Sequence, residues 1–104
     1  MLASPPFKTS NEKNVAMSAP EVEIYTRWGC GYCVSAKALL DRKGIAYAEY
    51  DVTMGGEKRA EMLARVPGAT TLPQILIDGI SVGGSDEIHA LDRKGKLDAM
   101  LGIA

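Results

Sequence analysis

Val22-Glu23-Ile24-Tyr25-Thr26-Arg27-Trp28-Gly29-Cys30-Gly31-Tyr32-Cys33-Val34-Ser35-Ala36-Lys37-Ala38-Leu39-Leu40 changes its apolar period part-way along, and the architecture follows from that change. Val22 to Thr26 alternates apolar and polar or aromatic side chains, the period of a strand. From Cys33 to Lys43, Ala36, Leu39 and Leu40 recur at i, i+3, i+4, with Lys37, Asp41 and Arg42 elsewhere around the wheel. That pattern predicts an amphipathic helix, and Gly44 is its natural stop. Further along, residues 46–52 (AYAEYDV) read as a second strand. Residues 57–66 read as a helix with Met62, Leu63 and Val66 on one face, ended by Pro67-Gly68. Gln74 to Ile77 and Ile80 to Val82 flank Asp78-Gly79, the sequence of a two-residue hairpin turn. Gly83-Gly84-Ser85-Asp86 opens a helix running through His89 and Leu91, with Ser85 or Asp86 as the expected cap. A short last helix carries Leu97, Met100 and Leu101. The expected order is β-α-β-α-β-β-α-α, an α/β chain without internal repeats.

A chain of 104 residues, 46% hydrophobic, holds one core and no second domain. That domain is expected to span about residues 21–104. Residues 1–20 are rich in Pro, Ser, Asn, Lys and Ala without apolar periodicity, and read as a flexible tail. Met17 within it is a candidate alternative start of translation. Twelve basic against thirteen acidic residues, net charge −1, argues against a general nucleic-acid binder, which needs a basic excess on one face. No apolar run approaches the roughly 18–20 residues that cross a bilayer, and the N-terminus lacks the pattern of a secretory signal. The expectation is a cytoplasmic protein with no nucleic-acid or membrane partner.

Two cysteines, Cys30 and Cys33, are too few and too close together for a secreted disulfide scaffold. Placed where a strand hands over to a helix inside a β-α-β unit, a C-x-x-C is the sign of a thioredoxin-like redox site. With Cys30 as N-cap and Cys33 in the first turn, both sulfurs share one side and the outer one is expected to face solvent. The ring they close is tight, so its disulfide is labile. An ordinary thiol with pKa ~8.5 is only about 3% ionised at pH 7. Bringing such a group to ~5 requires about 4.8 kcal/mol of thiolate stabilisation. A helix dipole supplies roughly 0.3–1, at best ~2 kcal/mol. Most must come from N–H donors, expected from Tyr32 and Cys33, and from cations such as Arg27 and Lys37. Zinc is the competing reading of the pair, but it wants four ligands and the chain has one histidine, His89. Lys37 reads equally well as a solvated surface charge.

The sequence resembles the glutaredoxins in three separated motifs: Glu23-Ile24-Tyr25-Thr26-Arg27 before the pair, Thr71-Leu72-Pro73 before the hairpin, and Gly83-Gly84-Ser85-Asp86 after it. The resemblance covers residues 21–104. It implies a thioredoxin fold with a four-stranded mixed β-sheet flanked by helices, glutathione as co-substrate, and disulfide-containing or glutathionylated client proteins. It also implies a glutathione groove. Pro73 would be a cis-proline that turns the Leu72 backbone toward the sulfur, where its N–H and C=O pair with the cysteinyl unit of glutathione. Thr71 belongs to the same motif. The helix opening at Gly84-Ser85-Asp86 would take the γ-glutamyl carboxylate on its free N–H groups, with the Asp86 carboxylate taking the ammonium. Arg27 stands at a basic family position that holds the glycine carboxylate, and Tyr32 would form a wall.

Two positions depart from the family pattern. Ala69 and Thr70 stand where many members carry a basic residue or Gln, and Arg65 is the expected substitute from the preceding helix. Gly31 stands where many dithiol members have Pro. In the family, smaller residues there accompany a [2Fe-2S] cluster bridged between two subunits by Cys30 thiolates and two glutathione thiolates. The implied activity is thiol–disulfide exchange by Cys30, with Cys33 as resolving thiol. The alternative is a cluster-binding or carrier protein, a dimer only when bridged and otherwise a monomer.

Overall fold

The computed structural model describes residues 20–103. The expected tail and the possible start at Met17 lie outside the described residues, apart from Pro20. The elements run β1 (Val22–Thr26), α1 (Gly31–Arg42), β2 (Ala48–Asp51), α2 (Glu57–Arg65), β3 (Gln74–Ile77), β4 (Ile80–Gly83), α3 (Ser85–Arg93) and α4 (Leu97–Met100). The strands form one mixed sheet in the order β2-β1-β3-β4, with β1 parallel to β2 and antiparallel to β3. This is the expected element order and the expected α/β architecture.

Local chemistry explains most boundaries. The β3–β4 turn places both Asp78 (φ 52°) and Gly79 (φ 79°) in the left-handed region, the requirement of a two-residue turn that follows the strand twist. Asp78 also ties the hairpin to the chain entering β1: its Oδ1 accepts the Glu21 N–H at 2.8 Å, and its N–H donates to the Glu21 carbonyl at 2.8 Å. Gly44, at φ 69°, ends α1 and donates to the Asp41 carbonyl at 3.0 Å. Strand β2 is shorter than expected, because pairing with β1 begins at Glu23↔Ala48 and leaves Ala46 and Tyr47 without strand partners.

Strand alternation divides the interior in two. Val22, Ile24, Ile75 and Ile77 point to one face and pack with Ala36, Leu39 and Leu40 of α1, Ile88 of α3, Leu97 of α4 and Leu101. Tyr25 and Leu76 point to the other face, where they meet Val52 and Met62 of α2. The second face is polar as well as apolar. Glu23, only 7% exposed, accepts from both guanidinium nitrogens of Arg65, at 2.7 and 3.0 Å, and from the Tyr50 hydroxyl at 3.0 Å. The Tyr25 hydroxyl donates to Glu61 at 2.6 Å and accepts from Arg65 at 3.0 Å. Helix α2 is therefore fastened to the sheet by a connected ion-pair and hydrogen-bond network.

The cap of α3 differs from expectation. Gly84, not Ser85 or Asp86, is the N-cap, and no side chain of those three caps the helix. Ser85 lies inside the helix, with its Oγ 3.4 Å from His89 Nδ1. Glu87 reaches back instead, its Oε1 accepting the Gly84 N–H at 2.8 Å.

Candidate active site

Cys30 is the N-cap of α1, in an extended conformation that lets its sulfur turn back over the first helical turn. Its Sγ accepts the Cys33 N–H at 3.2 Å and lies 3.7 Å from the Leu72 carbonyl oxygen. Among the described hydrogen bonds Cys33 is the backbone donor to this sulfur; the donor expected from Tyr32 is not found. Both cysteines are free thiols. Burial, then the neighbouring Cys30 sulfur, pushes the Cys33 thiol up to about 11. At neutral pH Cys33 therefore holds its proton.

The outer sulfur is expected to face solvent, and the structure corrects this by burying the residue that carries it. Cys30 is 5% exposed and Cys33 2%. The pair opens into a cavity of about 450 Å³ lined by Arg27, Trp28, Gly29, Val34, Lys37 and Asp51, among others. The lining includes an ion pair: Lys37 Nζ to Glu49 Oε2 at 2.9 Å, the same oxygen accepting from Thr26 Oγ1 at 2.7 Å. Lys37 is thus engaged with a carboxylate rather than held for the sulfur. Gly31 faces open space, since a Cβ built there meets nothing within 4 Å.

A second cavity of about 380 Å³ is lined by Arg27, Tyr32, Arg59, Met62, Ala69, Thr70, Thr71 and Leu72, sharing Arg27 with the first. The Leu72–Pro73 bond is cis, as expected for this loop. Next to it, the Pro73 carbonyl oxygen lies only 3.0 Å from where a Cβ on Gly84 would stand, so glycine is what permits this approach. That approach sets the opening turn of α3, with buried Ser85 and exposed Asp86, beside the cis-proline loop. Four of the expected binding residues, Arg27, Tyr32, Thr71 and Leu72, thus share one cavity, and Pro73, Gly84, Ser85 and Asp86 continue from its edge.

Arg65 does not belong to this group. Its guanidinium is spent on Glu23, Tyr25 and Glu61, which holds its pKa above the ordinary arginine value. The basic residue that α2 does contribute to the cavity is Arg59. The sequence carries a signal for it: Arg59 precedes the buried Met62 by three residues and so shares its helical face.

Comparison with known proteins agrees with this geometry. The glutaredoxin family model matches residues 22–82. The chain belongs to the glutaredoxin family. A glutaredoxin of Pseudomonas aeruginosa is 54% identical over 82 residues, which are 79% of this chain and 96% of that protein. The solution structure of glutaredoxin from Brucella melitensis superposes with a TM-score of 0.70 at 50% identity, covering 83% of this chain and 92% of its own. The crystal structure of a buckwheat glutaredoxin–glutathione complex superposes with a TM-score of 0.71 at 28% identity, over 80% of this chain and 77% of that one. The fold is therefore the thioredoxin fold, and the C-x-x-C pair belongs to a glutathione-dependent thiol–disulfide oxidoreductase.

Proposed function

We propose that the protein reduces protein disulfides and protein–glutathione mixed disulfides, with Cys30 as the attacking sulfur and Cys33 as the resolving one. The observation that carries this division of roles is the asymmetry of the pair. The Cys30 sulfur accepts a helix-start N–H beside the Leu72 carbonyl, whereas burial keeps the Cys33 thiol protonated. On a glutathionylated client, Cys30 takes up the glutathionyl group, the client leaves as thiolate, and a second glutathione releases the adduct as glutathione disulfide. On a protein disulfide, Cys33 resolves the mixed disulfide, and two glutathione molecules reduce the resulting Cys30–Cys33 bond.

The similarity to a buckwheat glutaredoxin that binds glutathione supports glutathione as the small thiol of this protein. In this reading the Leu72 backbone pairs with the cysteinyl unit and Tyr32 and Thr71 flank it. The free N–H groups at Ser85 and Asp86 receive the γ-glutamyl carboxylate, and the Asp86 side chain receives the ammonium. Arg27, as the resemblance implies, holds the glycine carboxylate, and Arg59, which shares the cavity, takes the supporting place expected of Arg65. A cytoplasmic setting, where glutathione is kept reduced, belongs to the same proposal. A second reading, a [2Fe-2S] cluster bridged between two copies by Cys30 and glutathione, draws on Gly31 and the open space beside it.

The test is steady-state reduction of a glutathionylated peptide. Cys30→Ser is expected to abolish turnover and Cys33→Ser to retain it; equal loss in both variants contradicts the assignment. Visible absorbance of protein purified anaerobically with glutathione, lost in Cys30→Ser, marks the cluster; a colourless active monomer does not support it.

A further inference from the structure

Four polar side chains are buried among the described residues: Glu23, Thr26, Gln74 and Ser85. Glu23 fastens α2, Thr26 donates to Glu49, and Ser85 stands 3.4 Å from His89 within α3. Gln74 takes part in none of these arrangements. It opens β3 in register with Tyr25, ahead of Ile75, Leu76 and Ile77. A primary amide at 7% exposure destabilises the fold unless its N–H groups find acceptors. Gln74 Nε2 donates to the Thr71 carbonyl at 2.8 Å and to the Thr71 hydroxyl at 3.4 Å. A carbonyl can only accept, so the amide nitrogen, not its oxygen, faces Thr71.

We propose that Gln74 is a positioning residue for glutathione: its side chain clamps the Thr71 carbonyl and so aims the Leu72 N–H at the cysteinyl unit of the bound tripeptide. The inference rests on the glutathione-dependent reading and adds what holds the Leu72 backbone in its binding orientation. The Thr71 carbonyl and the Leu72 N–H belong to one trans peptide plane and point in opposite directions. A donor that fixes the carbonyl toward the buried amide therefore fixes the N–H away from it.

Nothing else described does this. Thr71 is exposed and lies in neither helix nor strand, so no sheet ladder sets its peptide plane. Among the described hydrogen bonds no other donor reaches the Thr71 carbonyl. The clamp closes a ring from residue 74 back to residue 71, with Leu72 and Pro73 inside it. Thr71 and Leu72 line the cavity that also holds Tyr32 and Arg59. The Leu72 carbonyl oxygen lies 3.7 Å from Cys30 Sγ, so the same loop setting places the backbone beside the reacting sulfur. The role of Gln74 is indirect: it acts on glutathione through Leu72.

The experiment measures kcat/KM for two mixed disulfides of one peptide, one carrying glutathione and the other 2-mercaptoethanol, with glutathione as reductant. 2-Mercaptoethanol has no peptide unit to pair with Leu72, so the ratio of the two values reports that pairing. The wild-type protein is expected to favour the glutathionylated peptide. Gln74→Met, close in length but without a donor, should lower the ratio about tenfold, a factor worth about 1.4 kcal/mol. Gln74→Glu keeps the shape but turns a carboxylate oxygen toward the Thr71 carbonyl at neutral pH, and should lower the ratio at least as far. A side chain serving the fold alone would depress both substrates together; an unchanged ratio in the variants, or no preference in wild type, would overturn the inference. A second measurement needs no variant, because Gln74 is the only glutamine of the chain. Its side-chain amide protons, followed by NMR, should exchange with solvent more slowly than those of a solvated amide. Exchange at the solvated rate would contradict the clamp. Failure of the wild-type protein to turn over either substrate would instead remove the oxidoreductase reading.

Discussion

On one face of the sheet, Val22, Ile24, Ile75 and Ile77 meet α1, α3 and α4 through side chains that carry no polar atoms. On the other, Glu23, Tyr25 and Tyr50 meet α2 through carboxylate, guanidinium and phenol groups, around a smaller apolar cluster. The first face carries α1 and with it the two sulfurs. The second carries Arg59 and Met62, which line the cavity where glutathione is proposed to sit. The helix that performs bond exchange is set by close packing, which resists small displacements. The helix that lines the binding cavity is set by directional, charge-assisted bonds that fix its orientation. Damage on the two faces should therefore be felt in different observables.

The largest stability effect belongs to the apolar face. Leu40, 1% exposed, anchors α1, and Leu40→Ala should cost about 2–5 kcal/mol. For a domain of this size that lowers Tm by at least ~8 °C. Turnover per folded molecule well below the new Tm should be close to wild type; a stability unchanged by this substitution would contradict the packing described for α1.

On the polar face, Glu23→Gln keeps shape and removes charge, leaving Arg65 without its main partner at a cost of about 1–3 kcal/mol. The expected kinetic signature is a higher KM for glutathione at nearly constant kcat, since α2 loosens while the sulfurs stay in place. The same bond gives a pH signature. Arg65 first, with Tyr50, holds the Glu23 carboxyl below its ordinary range, and Tyr25 and Lys58 do the same for Glu61. A carboxylate depressed in the folded state contributes stability above its unfolded pKa of ~4.3 and loses it as pH falls through the lower folded value. Stability should therefore decline below about pH 4, and the decline should be shallower in Glu23→Gln when followed by urea midpoints. An identical slope would mean that Glu23 is not the titrating group.

The smallest effect is at Arg59, which is exposed and worth about 1 kcal/mol at most. Arg59→Gln should raise KM for glutathione by roughly fivefold, with Tm unchanged. Arg65→Gln should lower Tm as well, and that contrast separates the residue that binds from the residue that holds the helix.

How much of this could be read from residue order depends on the range of the interactions. The helix starting after Cys30, the Asp78-Gly79 turn and the stop at Gly44 depend on neighbours a few residues away, and all are found. The cis bond before Pro73 was expected from the family motif and is present. Arg65 was misplaced because its partner Glu23 lies 42 residues earlier in the chain, and no local pattern reports a bond across that interval. The α3 cap was misread for a subtler reason. Ser85 and Asp86 are both good capping residues, but the helix opens one residue earlier, at Gly84, which the Pro73 carbonyl approaches closely and whose N–H Glu87 Oε1 accepts. The recess around Cys30 arises from several loops together and has no signature in the C-x-x-C spacing itself.

The division of labour between the sulfurs is tested most directly by mass spectrometry of the intermediate. Reduced protein is mixed with a glutathionylated peptide, quenched with acid and digested. Glutathione should be found on Cys30 in the Cys33→Ser variant, and no adduct should form on Cys33 in Cys30→Ser. An adduct on Cys33, or the absence of any adduct while turnover continues, would contradict the assignment of Cys30 as the attacking sulfur.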